Sequence, residues 1–198
     1  MSALLTSRWL AQFHRALDGD HDTSAELRDA SINRELRRWT VALTRVVVRS
    51  MEALDLTAAA RQNAGTALPL TQQEYLGQDV MAFRPGPRGW RFPIIVAELE
   101  NAPDDRRVAY SLWKTLCIRC ELRIVFCYRP EPADSAELLA VLASDVVREL
   151  PISDRARLDG ETIVVVGSRD EAATFPNGFF QSWKLNTNTG RFERVART

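Results

Sequence analysis

The segment 92–102, FPIIVAELENA, constrains the fold of this chain more than any other stretch. Residues 93–97 form an unbroken apolar run and read as a buried strand. Glu98 and Glu100 follow at a spacing of two, so both leave the strand on the same side. Acids at the end of a buried strand must be solvated, paired or used.

The segment just upstream supplies a partner strand. Residues 79–83, DVMAF, are joined to the run by Arg84-Pro85-Gly86-Pro87-Arg88-Gly89, a strong turn signal. With the turn centred near Arg88 and Gly89, opposed residues have numbers that sum to about 177. Phe83 then faces Ile94, Met81 faces Val96, and Asp79 faces Glu98. A slip of two residues keeps Asp79 and Glu98 on one face, whereas a slip of one separates them. In the favoured register Asp79, Glu98 and Glu100 converge at one end of an otherwise apolar face. Without a cation, at least one of the three should have a raised pKa. A divalent ion removes that conflict, because Mg²⁺ takes hard oxygen ligands and commonly uses one or two carboxylates. The bland alternative is a set of strand-end acids that are solvated or paired with Arg84, Arg91, Arg106 or Arg107.

The rest of the pattern surrounds this hairpin with helices and more strands. Residues 3–18 read as an amphipathic helix, broken at Asp18-Gly19-Asp20. Residues 24–61 read as helical, capped by Ser24, with a break near Leu56. Residues 63–71 are a loop, and the Tyr75 region looks extended. The strand of the opening segment runs over 90–100. Asp104 and Asp105 start a helix that continues over 106–117. Residues 122–128 are a buried strand, 135–150 an amphipathic helix stopped by Pro151, and 162–167 another strand. Residues 179–185 and 191–195 flank Asn186-Thr187-Asn188-Thr189-Gly190 as a C-terminal hairpin. A hairpin followed by a helical crossover and a further strand predicts an α/β (α+β) fold with a central mixed β-sheet flanked by helices. One domain spans 1–198. Within it, 1–24 is a helical extension, 25–130 the core, and 131–198 a C-terminal helix and strands.

Charge narrows the function classes. Lys+Arg and Asp+Glu are both 26, which argues against retention on DNA by bulk charge. Lys114 and Lys184 are the only lysines. Lys114 lies four residues after Tyr110 on the helix behind the acids, so the two share a face. It could hold a phosphate or stabilise charge as a phosphodiester breaks. It could equally be a surface lysine lying along the helix. The N-terminus lacks an apolar run long enough for a signal peptide, and no segment approaches the roughly 20 apolar residues of a membrane span. A cytoplasmic protein is expected, and an odd count of three cysteines fits a reducing compartment.

Asp79, the Glu98-Leu99-Glu100 triplet on the next strand, and the helix and strand that follow resemble the PD-(D/E)XK nuclease superfamily. The resemblance covers about residues 26–130 and implies a restriction-endonuclease-like αβββαβ core. Two strands precede the helix, so the third core strand is unplaced; the Tyr75 segment is the candidate. The resemblance implies that Asp79 and Glu98 bind Mg²⁺ or Mn²⁺, and Asp79, Glu98 and Glu100 together are expected to hold the ion and activate water. Leu99 stands at the variable position. The third triplet position, usually lysine, is Glu100. Some superfamily members carry glutamate there, and in others the lysine has moved to the adjacent helix, which makes Lys114 the replacement. An acid on the first core helix would be Glu35, with Glu26 and Glu52 competing. The implied activity is phosphodiester hydrolysis of nucleic acid, DNA foremost, with Arg106, Arg107 and Tyr110 contacting substrate and no membrane partner. The alternative is a catalytically inactive binding or assembly protein on the same fold.

Other constellations are weaker. Cys117, Cys120 and Cys127 are one ligand short of a structural zinc site, and His14 and His21 are distant, so buried thiols are expected. There is no Gly-rich phosphate loop, and Ser168 and Ser182 lack a histidine partner. Phe179, Phe180, Trp183, Lys184, Arg191, Phe192 and Arg194 mix aromatic and basic character. Such a hairpin can stack bases, form a homodimer face, or simply pack on the core.

Overall fold

A computed structural model describes residues 5–195. Residues 3, 4 and 196–198, which the expected first helix and C-terminal segment include, lie outside the described residues. Three helices come first: α1 (Leu5–Gly19), α2 (His21–Ile32) and α3 (Leu36–Glu52). Strands β1 (Thr57–Ala60), β2 (Val80–Phe83) and β3 (Ile95–Leu99) follow, then α4 (Asp105–Leu116) and β4 (Leu122–Arg129). Helix α5 (Ser135–Leu142) runs into a π-helical turn (Ala143–Val147), and the short α6 (Ile152–Arg155) leads to β5 (Glu161–Ser168). Strands β6 (Phe180–Asn186) and β7 (Arg191–Val195) close the chain as a hairpin.

The strands form one seven-stranded sheet in sequence order, β1 to β7. The β1–β2 and β2–β3 pairs are antiparallel, β3–β4 and β4–β5 are parallel, and β5–β6 and β6–β7 are antiparallel. The fold is therefore α/β with a mixed sheet and helices on both faces. Helices α1–α3 cover one face, where Trp9, Phe13, Leu27, Trp39 and Val47 pack on Val80, Ala82, Ile95 and Ala97. Helices α4 and α5 cover the other, where Val108, Leu112 and Leu138 pack on Val125, Cys127, Val164 and Val166. Strand β4 is buried along its whole length, and β5 nearly so, as expected for parallel strands between helical layers.

The hairpin register is the one its apolar pattern predicts. Val80 lies opposite Ala97, Met81 opposite Val96, and Ala82 opposite Ile95. Side-chain alternation sends Val80 and Ala82 into the α1–α3 layer, and Met81 and Phe83 into a separate cluster with Val96.

Several expectations change. The helical run over 24–61 is two helices, separated at Asn33–Glu35, with Arg34 at φ 56°. The side-chain cap of α2 is Asp20, which accepts from the Thr23 amide at 2.9 Å, in place of Ser24. A third strand before α4 is present at Thr57–Ala60, and the Tyr75 region, expected to be extended, is irregular. Strand β3 begins at Ile95; Trp90 and Phe92 are exposed in the connection. Helix α1, set apart by sequence as an extension, is core: Trp9 and Phe13 are fully buried, and Trp9 Nε1 donates to Ser50 Oγ of α3 at 2.9 Å. The C-terminal hairpin sends Phe179 and Phe180 into the same core. Among the described residues, no helix is long and apolar enough to cross a membrane.

Candidate active site

Strands β2 and β3 bring Asp79 and Glu98 together because their apolar residues fix the register two positions away. The Asp79 amide donates to Glu98 Oε1 at 3.3 Å, and the Leu99 amide donates to Asp79 Oδ2 at 2.7 Å. Glu98 is only 5 % exposed. Helix α4 crosses behind them. Its N-terminus is capped by Asp104, which accepts from the Arg106 amide at 2.9 Å. Its apolar face, Val108, Leu112 and Leu116, packs down. That orientation sends Lys114 toward the strand end. Lys114 Nζ lies 2.7 Å from Glu98 Oε2 and donates to the Gly77 carbonyl at 2.7 Å.

Burial decides the electrostatics. It pushes the Glu98 carboxyl up to about 7, against the hydrogen bond from Lys114, and the Asp79 charge adds to the rise. Burial also raises Asp79, partly offset by the Leu99 amide and by Lys114. One lysine thus answers both acids.

Glu100 is on the same side but is engaged elsewhere. It accepts from the Ala102 amide at 2.8 Å and from Ser111 Oγ at 3.5 Å, and Arg107 Nε lies 3.7 Å away. Among the described residues, no three His, Cys, Asp or Glu side chains form a metal-ligand group. Asp79 and Glu98 nevertheless fit a hard divalent ion: a half-buried and a buried carboxylate on one face, both raised by desolvation, offer the oxygens that Mg²⁺ or Mn²⁺ takes alongside water and phosphate.

The remaining expected residues are spread around this pair. Arg106 is exposed on the first turn of α4. Tyr110 is 60 % exposed, and Trp113 is 48 % exposed. Glu35 pairs with Arg38 on the surface, and Glu26 with Arg38 and Arg45. Of the competing acids on the first helices, Glu52 is the one that lines a cleft with Asp79. The thiols are free; Cys120 and Cys127 are buried, their pKa values pushed up by burial to about 11 and about 12.

Comparisons of the chain with protein-family models, with curated proteins and with solved structures returned no match. The functional reading therefore stands on residue types and geometry.

Two features escaped the sequence. Gln78, beside Asp79, is 1 % exposed, and neither its amide oxygen nor its nitrogen has a hydrogen-bond partner. A cleft of about 610 Å³ runs along α3, from Arg37 past Arg45 and Arg49 to Arg61 and Asn63 beyond β1, and Asp79 lies in its wall. The steps of four and eight residues between Arg37, Arg45 and Arg49 were the available signal for one basic helix stripe.

Proposed function

We propose that this chain is a metal-dependent, nuclease-like protein of the PD-(D/E)XK kind, built on a restriction-endonuclease-like core and hydrolysing phosphodiester bonds of nucleic acid, DNA foremost. Its support is the meeting of Asp79 and Glu98 across the hairpin, with Lys114 Nζ 2.7 Å from Glu98. The order α3–β1–β2–β3–α4–β4 accords with the αβββαβ arrangement that this resemblance implies. Asp79 and Glu98 would hold Mg²⁺ or Mn²⁺. When bound, the ion supplies Lewis-acid polarisation of a phosphoryl oxygen and an activated water. Lys114 is within reach to leave Glu98 for a phosphate oxygen, where it offsets developing negative charge. Arg106 and Arg107 supply further cations on the same helix. Glu100 holds the strand-to-helix turn through the Ala102 amide and sits beside Ser111. Three free cysteines favour a reducing, cytoplasmic setting.

The test is cleavage of a panel of DNA and RNA with Mg²⁺ or Mn²⁺. Wild type should cut, and Glu98→Ala and Lys114→Ala should each lose at least about a hundredfold, the scale of removing a metal ligand or a charge-stabilising donor. Undiminished cutting by Glu98→Ala would remove the assignment.

One observation favours a second reading, a catalytically inactive binding or assembly protein: Glu100 is occupied by the Ala102 amide, and Lys114 closes on Glu98. A melting temperature that does not move with Mg²⁺, Mn²⁺ or Ca²⁺ would select it.

A further inference from the structure

We infer that the chain binds single-stranded nucleic acid, with bases stacked on a Tyr110–Trp113 ledge of α4 and the backbone running past Asp79 into the arginine-lined cleft along α3. This deepens the nuclease-like reading and rests on it only for where a bond would be cut.

The ledge is an unusual use of helix surface. Helix α4 already has an apolar face in Val108, Leu112 and Leu116, so its packing does not call on Tyr110 or Trp113. Both rings are nevertheless outside, 6.0 Å apart between centroids and inclined by 34°. Arg106 precedes Tyr110 by four residues, which places a cation on the same stripe. Lys114, adjacent to Trp113, ties this helix to Glu98 and Gly77, so the ledge borders the acids.

The cleft provides the other half. Among the described residues, no carboxylate pairs with Arg37 or Arg61, whereas Arg45 and Arg49 are paired with Glu26 and Asp20. Glu52, Glu74 and Asp79 also line the cleft, so it is not a uniform polyanion trough. Its free cations sit at chosen points, and Asp79 belongs both to this cleft and to the acid pair.

Single strands match this combination. Their bases have open faces that stack on aromatic side chains without regard to sequence, while arginines track the phosphates. In a duplex the base faces are already stacked on one another, and the ledge would be left unused.

The experiment uses the full chain in EDTA, where binding is read apart from cleavage. A fluorescein-labelled oligo-dT and a duplex of equal length are titrated by fluorescence anisotropy. The single strand should bind at least about tenfold more tightly than the duplex. Tyr110→Ala and Trp113→Ala should each weaken it roughly tenfold, and Trp113→Phe should retain it. Arg37→Ala and Arg61→Ala should each lower the slope of log K against log salt by about 0.7. Circular dichroism checks that these exposed substitutions leave the fold intact. Equal or tighter duplex binding, or indifference to both aromatic substitutions, overturns the inference. So does a Trp113→Ala change that abolishes self-association in sedimentation but leaves DNA binding unchanged, since the ledge would then face a second copy. Single-strand binding without cleavage in Mg²⁺ keeps this inference and removes the nuclease; cutting of duplex without single-strand preference does the reverse.

Discussion

Glu98 is a buried acid with one cation, and its pH response follows from that. Its carboxyl is held near 7 against an ordinary value of 4.5, so folding favours the protonated form. The contribution is fully present below about pH 4.5 and is lost as pH rises through about 7. In EDTA, wild-type stability should therefore fall by up to ~3 kcal/mol across that window, and Glu98→Gln should flatten the decline. Urea unfolding at pH 5 and pH 8 measures both. Lys114→Met removes the only cation within bonding distance of Glu98 among the described residues. It should destabilise by about 1 kcal/mol more at pH 8 than at pH 5, because the unpaired charge exists only at the higher pH. At this scale, the facing of Asp79 and Glu98 was legible, because alternation and a turn position suffice to set parity. Gln78 and Arg123 were not, because a polar residue flanking or inside a strand looks the same in sequence whether it is partnered or orphaned.

Arg123 belongs to the scale of elements. It is 2 % exposed within β4, and its guanidinium donates to the carbonyls of Thr115 at 3.1 Å, Ile118 at 2.7 Å and Asp159 at 2.6 Å. It thus ties the end of α4 to the loop before β5. Arg123→Leu should cost about 2–4 kcal/mol in urea unfolding. Arg123→Lys should recover less than half, because one ammonium cannot reproduce the planar fork. Gly160 seals the same junction: it sits at φ 79°, and a Cβ there would lie 2.5 Å from the Cys120 carbonyl oxygen. Gly160→Ala should lower stability by about 2 kcal/mol in the same assay. The elements that sequence located well carry strong patterns: the β2–β3 apolar pairs, the apolar centres of β4 and β5, and the capped α4. Strand β1 was hidden because Thr-Ala-Ala-Ala follows a long helix and alanine favours helix; pairing with β2 overrides that preference. The break at Asn33–Glu35 was hidden because apolar spacing continues across it. Trp90 and Phe92 extended the expected β3 only because aromatic residues favour strands, and here they face solvent.

At the scale of the molecule, the sheet has two edges of different kinds. Strand β7 presents Arg191, Glu193 and Arg194 to solvent, charges that discourage pairing with another sheet. Strand β1 is only four residues long. The helical layer over the sheet depends on α1, whose Phe13 ring lies 5.4 Å from both Phe126 and Phe180. Trp9→Ala should cost about 3–5 kcal/mol, and removal of residues 1–19 should abolish cooperative thermal unfolding. The same stacking has a consequence for how the chain is made. The sheet is in sequence order, so each new strand can pair with the one synthesised before it. Phe126 arrives with β4 and Phe180 with β6, both after Trp9 and Phe13 of α1 have been made. Helix α1 can meet α3 early, through Trp9 and Ser50, but its aromatic stack is complete only once β4 and β6 exist, and in that interval a nascent chain is open to chaperones and to aggregation.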